Sequence, residues 1–188
     1  MYQNINPYKN WNYQKGNIAV CWKSSDYENL NFKKRYHRYS KKKIIGFDTD
    51  KKNFKLYGDN LSVLVGDSFQ TPAIFIKIAS DFLLKETVVN VNKYEPGMIL
   101  PWHKDTYVTY AKNKKIKDIE LIVRIIIFLN DSVPGQQLWI GDSFCYGPAG
   151  SWFSWQGEES HMAANLSLEN RYVLQITGLV DTSTNFKK

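Results

Sequence analysis

From residue 88 to residue 179 the chain reads as seven short segments rich in β-branched and aromatic residues: 88–94, 98–105, 121–129, 136–140, 151–155, 159–163 and 171–179. The breaks between them carry turn chemistry, at Pro96-Gly97, Asn130-Asp131, Pro134-Gly135, Gly141-Asp142, Gly147-Pro148 and Glu169-Asn170. Many short strands with regular turns predict a sandwich or a barrel, and a double-sheet jelly roll is the version that encloses a site. An aromatic share of 15% agrees, because large planar side chains suit pleated sheets and flat-walled cavities.

Upstream of these strands one helix is expected over residues 71 to 86. Thr71 is placed to cap its first turn and Pro72 sits where a missing N–H costs nothing. Ile74, Ile78 and Phe82 form an apolar stripe that would pack on the outer face of a sheet. Residues 1 to 60 are polar, aromatic and basic, with short strands expected at 17–22 and 53–57. A length of 188 residues with no repeat or linker fits one domain. It divides into an N-terminal extension (1–70), a supporting helical segment (71–87) and a β core (88–180).

The formal net charge is +7, and Lys33, Lys34, Arg35, Arg38, Lys41, Lys42 and Lys43 lie close together. Tyr36, His37 and Tyr39 are interleaved, so stacking on nucleic-acid bases is one reading. A solvated loop or edge strand that blocks sheet-to-sheet aggregation is the other. His37 is expected to face solvent. Cys21 and Cys145 are too few and too far apart for a disulfide scaffold or a zinc motif, and read as two reduced thiols. The N-terminus has no apolar core for a signal peptide, and the longest apolar run, Ile125 to Leu129, is far too short to cross a bilayer. The expectation is a soluble cytoplasmic protein with no membrane partner; its oligomeric state is not legible.

Three histidines occur in the whole chain, His37, His103 and His161, and two of them fall in the β-rich part. His103 and Asp105 stand one residue apart in an expected strand, so their side chains project to the same face and can hold one metal together. A histidine from another strand, His161, completes two imidazoles and one carboxylate. That set leaves three adjacent coordination positions open, as a non-haem Fe(II) centre needs for a chelating keto acid and O₂. Arg171 opens an apolar strand ten residues after His161; on the inner face its planar fork would match a carboxylate.

The order of these residues carries a resemblance. Tyr94-x-x-Gly97, His103-x-Asp105, Arg124-x-x-x-Phe128-Leu129-Asn130, Gly135-x-x-Leu138, Ala149-Gly150-Ser151-x-Phe153, His161 and Arg171 run from Asn90 to Gly178. This stretch resembles the Fe(II)- and 2-oxoglutarate-dependent oxygenases, most closely the prolyl-hydroxylase and aspartyl/asparaginyl-hydroxylase branches. The resemblance implies a mainly β fold: a double-stranded β-helix (jelly roll, cupin-like) with one or more helices packed outside. It implies Fe(II) on His103, Asp105 and His161, 2-oxoglutarate paired with Arg171, and O₂ as co-substrate. The implied reaction is hydroxylation of an amino-acid, peptide or protein side chain, or of a small molecule, with release of succinate and CO₂.

Several candidates keep two readings. Arg124, mid-strand among isoleucines, needs an anion, which co-substrate, substrate or an internal acid such as Asp105 can supply. Tyr94 can donate to the co-substrate carboxylate or be a core tyrosine. Trp102 alternates away from the metal face and is expected in packing. Trp139, Trp152 and Trp155 are core or cavity wall, and a wall beside the metal would suit an apolar or aromatic substrate. Asn165 steadies the site or forms a turn. The basic, aromatic N-terminal third motivates oxidation of a nucleobase or alkylated nucleic acid as an alternative, although Arg171 is the last arginine and the paired downstream arginines of that branch are missing. A non-catalytic jelly-roll binding module is the third reading, and the intact triad argues against it.

Overall fold

The computed structural model describes residues 13–36 and 61–180. Eleven strands lie among them: β1 Gln14–Asn17, β2 Phe32–Tyr36, β3 Ser62–Gly66, β4 Lys85–Tyr94, β5 Ile99–Lys104, β6 Ile122–Phe128, β7 Gln136–Ile140, β8 Ser143–Phe144, β9 Ser151–Gln156, β10 Ser160–Asn165 and β11 Arg171–Leu179. The three α-helices among the described residues, α1 Ser25–Glu28, α2 Ala73–Ser80 and α3 Val108–Lys114, are short. The strands form a seven-stranded sheet ordered β1-β9-β6-β11-β4-β3-β2 and a four-stranded sheet ordered β5-β10-β7-β8. Every pairing is antiparallel. From β4 to β11 the chain passes repeatedly from one sheet to the other, which rolls both into a mainly β, cupin-like double-stranded β-helix.

β6 explains the layering. Its odd positions, Val123, Ile125 and Ile127, face outward into a core with Phe75 and Ile78 of α2, Val89 and Val91 of β4, and Trp152 of β9. Its even positions Ile126 and Phe128 face inward and meet Leu138, Ile140, Phe153 and Val173 between the sheets. A strand covered on both faces reads as a continuous apolar run rather than as an alternation. The one charged residue in that inward row is Arg124.

The strands expected from residue 88 onward form within a few residues of their predicted bounds, and the six predicted turns all fall between strands. The earlier expectations need correction. The helix covers 73–80, not 71–86. Thr71 does not cap it, because its hydroxyl donates to Val89 O at 3.4 Å instead. At its C-terminal end, β4 begins at Lys85 to pair with Leu179 of β11, so sheet pairing overrides the helical pattern. The stripe survives the shortening, since Phe82 stays buried in the hydrogen-bonded turn after α2. The strand expected at 17–22 lies instead at Gln14–Asn17, paired with β9. Past it, Trp22 is buried and its indole donates to Leu129 O at 2.9 Å. The strand expected at 53–57 lies outside the described residues, as do His37, Arg38, Tyr39 and Lys41 to Lys43.

Of the described residues before 71, β1 borders one edge of the large sheet, and β3 and β2 prolong the other beyond β4. Gly150 shows how closely the chain before β2 is held. Its φ is +89°, its N–H donates to Phe128 O at 2.9 Å, and it accepts from Ile18 N at 3.0 Å. A Cβ there would overlap Ile18 O, so the approach requires glycine.

Candidate metal centre and cavity

β5 and β10 are neighbours in the small sheet, and their register sets His103 directly opposite His161. A register shift between His161 and Ala163 bends the pair at this point, a device that re-aims side chains beside active sites. The imidazole centroids are 4.2 Å apart with planes tilted by 54°. Asp105, two residues beyond His103, brings its carboxylate to 3.9 Å from His103 Nε2 and 3.7 Å from His161 Nε2. All three ligand atoms lie within 4.8 Å of one another.

The backbone fixes which imidazole nitrogens are available. His103 Nδ1 lies 2.7 Å from Pro101 O, and His161 Nδ1 lies 2.9 Å from Glu159 O. A carbonyl only accepts, so each Nδ1 carries the proton and each Nε2 lone pair faces Asp105. Burial holds the His103 imidazole below its usual pKa. Burial, reinforced by the neighbouring His103, takes His161 down to about 4. Two neutral imidazoles and a carboxylate aimed at one point fit a divalent cation, and the anchored Nδ1–H groups are the outer contacts such ligands require. The triad can bind a metal ion.

Asp105 has a further neighbour. Arg124 Nη2 lies 2.9 Å from Asp105 Oδ2, and its guanidinium sits over the Tyr107 ring at 5.3 Å. Of the readings left open for Arg124, the internal acid is the partner its side chain takes here. Burial alone would lower its pKa, but Asp105 and Tyr107 more than compensate and hold it raised. Tyr107, at the start of α3, has φ +49°, and burial pushes its hydroxyl up to about 12. Arg124 and the Trp155 indole crowd that hydroxyl without reaching hydrogen-bond geometry, leaving Tyr107 OH, Arg124 Nε and Trp155 Nε1 buried and unpartnered. The Trp155 ring stands 4.5 Å from that of His161.

The triad opens onto a cavity of about 770 Å³ between the sheets, within the range of small-molecule sites. Arg171 lines the same cavity. It begins β11 opposite Tyr94, is 3% exposed, donates from Nη1 to Gln137 O at 2.5 Å, and lies over the rings of Phe128 (4.8 Å) and Tyr94 (5.9 Å). Among the described residues no carboxylate pairs with it. Burial lowers its pKa to about 10, which still leaves it charged at neutral pH. Burial also pushes the Tyr94 hydroxyl up to about 12, so it is protonated and able to donate.

Asn165 forms the turn before β11: Nδ2 donates to Tyr94 O and Glu169 O, each at 2.7 Å, while Oδ1 accepts from Ser167. Trp152 belongs to the outer core, Trp155 to the cavity wall, and Trp139 packs on Phe144. Trp102 departs from the packing expected of it, being 51% exposed. Sequence reasoning passed over Tyr107, which no motif announces. It also passed over Asn90, Asn92 and Gln175 of the cavity wall, whose signal was polar residues at the inward alternate positions of β4 and β11.

No protein-family model matches the chain, and no curated protein matches it. Solved structures do. They include a predicted oxalate decarboxylase from Thermotoga maritima (14% identity, 63% of this chain and 82% of that one, TM-score 0.41). A cupin protein from Bacteroides fragilis matches at 14% identity over 56% and 75%, TM-score 0.38. A Klebsiella pneumoniae protein with a double-stranded β-helix domain matches at 14% over 50% and 69%, TM-score 0.36. No function is carried across at such similarity, and the fold rests on strand order and register.

Proposed function

We propose that this protein is an Fe(II)- and 2-oxoglutarate-dependent oxygenase that hydroxylates an amino-acid, peptide or protein side chain. One observation carries the reading: a cavity lined by a His-Asp-His set is also lined by a buried arginine with no carboxylate partner among the described residues. A buried guanidinium is costly without an anion, and a dicarboxylic keto acid would supply one while chelating the metal.

His103 Nε2, His161 Nε2 and an Asp105 oxygen would hold the iron. When bound, iron and 2-oxoglutarate supply the oxidising chemistry, in which one atom of O₂ enters succinate and the other a substrate C–H bond, with loss of CO₂. The chain's own residues bind and orient. Arg171 would donate to the distal carboxylate, with Tyr94 as a second donor, while its bond to Gln137 O fixes the fork. Arg124 holds the Asp105 carboxylate in place, and Trp155, Leu138 and Ala163 keep water from the wall beside His161.

Anaerobic addition of Fe(II) and 2-oxoglutarate should give a weak visible charge-transfer band, and Asp105→Ala should abolish it together with succinate formation. Metal binding without any 2-oxoglutarate-dependent band would move the protein to another class of metalloenzyme. Absence of both would favour a binding module. Nucleic-acid oxidation has one observation in its favour: Arg35, beside the exposed Lys33 and Lys34 of β2, reaches the cavity lining. Binding to single-stranded DNA or RNA that weakens steeply with salt would support it, and salt-independent binding would count against it.

A further inference from the structure

Strand alternation puts Asn90, Asn92 and Tyr94 of β4 on the inner face of the large sheet, with Arg171, Val173 and Gln175 of β11. The register places Asn90 opposite Gln175 and Asn92 opposite Val173. Three carboxamides therefore stand together on a wall whose neighbours, Val65, Val173 and Ile126, are apolar. Asn92 is 4% exposed; its Nδ2 donates to Gln175 Oε1 at 3.1 Å, and its Oδ1 has no partner. Among the described residues Gln175 Nε2 has none either. An amide oxygen buried without a hydrogen bond forfeits its bond to water, a cost that an apolar side chain of the same size would avoid. Asn92 and Gln175 both line the cavity, so a ligand atom or a water there can supply the missing bond.

From this pair we infer that the cavity recognises its substrate by an amide edge, a primary carboxamide received by Asn92 and Gln175, because a trans peptide bond turns its N–H and C=O to opposite sides. The pair presents one acceptor beside one donor, and the complement is a rigid neutral group with a donor beside an acceptor. Exchanging O and N in both amides together preserves their mutual bond and reverses only the order of donor and acceptor, so the complement is still an amide. Charged groups fit less well. The unpartnered oxygen repels an anion, and Arg35, Lys104, Arg124 and Arg171 line the cavity against the single acid Asp105, which disfavours a cation. This inference rests on the oxygenase reading for what happens to the amide-bearing substrate, but not for whether it binds.

The test is binding of N-acetyl amino-acid amides, compared with their methyl esters, to the purified protein without added 2-oxoglutarate. The ester keeps the carbonyl and loses the carboxamide N–H, while both probes keep the acetylated amine, whose trans N–H and C=O cannot form the edge. Amides should bind about tenfold more tightly, and the preference should fall to within about twofold in Asn92→Leu. Gln175→Leu, at a half-buried position, gives the same readout if Asn92→Leu does not fold. Equal binding of amides and esters, no binding of either, a preference that survives both substitutions, or binding of nucleosides in place of amides would each overturn the inference. The charge-transfer band of the unaltered protein tests the oxygenase reading separately, so the two can fail independently.

Discussion

Two carbonyls decide the chemistry of two histidines. Pro101 O and Glu159 O each hold an Nδ1–H from two residues upstream, so the tautomer suited to a metal is set before any ion arrives. Arg171 is prepared in the same sense, with one nitrogen spent on Gln137 O and its face packed on Phe128. If it anchors a carboxylate, Arg171→Ala removes charge-assisted hydrogen bonds of about 1.5–3 kcal/mol each. The KM for 2-oxoglutarate should then rise by about 100-fold or more, with iron binding retained. Arg171→Lys should recover only part of this, because a point charge lacks the fork. Steady-state succinate assays check both, and an unchanged KM removes Arg171 from the site. The residues of this centre were legible unequally. His103 and Asp105 follow from spacing within one strand, and His161 from the scarcity of histidine. The partnership of Arg124 with Asp105 joins β6 to a loop 19 positions away and leaves no local trace, so three readings of Arg124 stayed open. Tyr107 is invisible for a related reason: its burial comes from Arg124 and Trp155, both distant in sequence.

Elements whose two faces are both buried were easiest to read. β6 and β11 are mostly apolar, apart from Arg124, Arg171, Gln175 and Thr177, because one face meets α2 and its neighbours and the other meets the small sheet. β1, β2 and β3 carry weaker patterns: β1 is a four-residue polar edge strand whose partner, β9, lies over 130 residues away. The helix was legible as a stripe but not in its bounds, because pairing of Lys85 with Leu179 claims the residues that helical periodicity alone would have kept. Phe75 is where this element is anchored, fully buried among Trp22 and the outer face of the large sheet. Phe75→Ala should cost about 3–5 kcal/mol, the transfer term plus the cavity left behind. Denaturant unfolding should show this as a lower midpoint, while any charge-transfer band that the unaltered protein gives with Fe(II) and 2-oxoglutarate persists where the variant is folded, since α2 lies outside the cavity. A loss below about 1 kcal/mol would mean that α2 is not tightly docked.

At the scale of the molecule the cavity is a place where folding and proton uptake are linked. Burial keeps both site histidines neutral, with His161 lowered to about 4 from an ordinary 6.5. Below pH 6.5 an unfolded chain protonates these imidazoles, whereas the folded one does not until lower pH. The unfolded state therefore binds more protons in that window, and stability rises with pH there. The metal-free protein should be fully stabilised above about pH 6.5 and lose stability as pH falls toward about 4, by about 3 kcal/mol at most for His161. A bound divalent cation competes for the same Nε2 lone pairs, so metal stabilisation should also weaken as the medium becomes acidic. Thermal melts from pH 4 to 8, with EDTA and with Fe(II) or a redox-inert substitute held anaerobically, measure both effects. His161→Leu separates the site from the background of carboxylates elsewhere: it should reduce the metal-free pH dependence between 4 and 6.5 to the part left by His103, and abolish the metal-induced rise in Tm. A variant that keeps the full slope would place the proton-linked groups outside the triad. One that keeps the metal-induced rise would place the cation elsewhere.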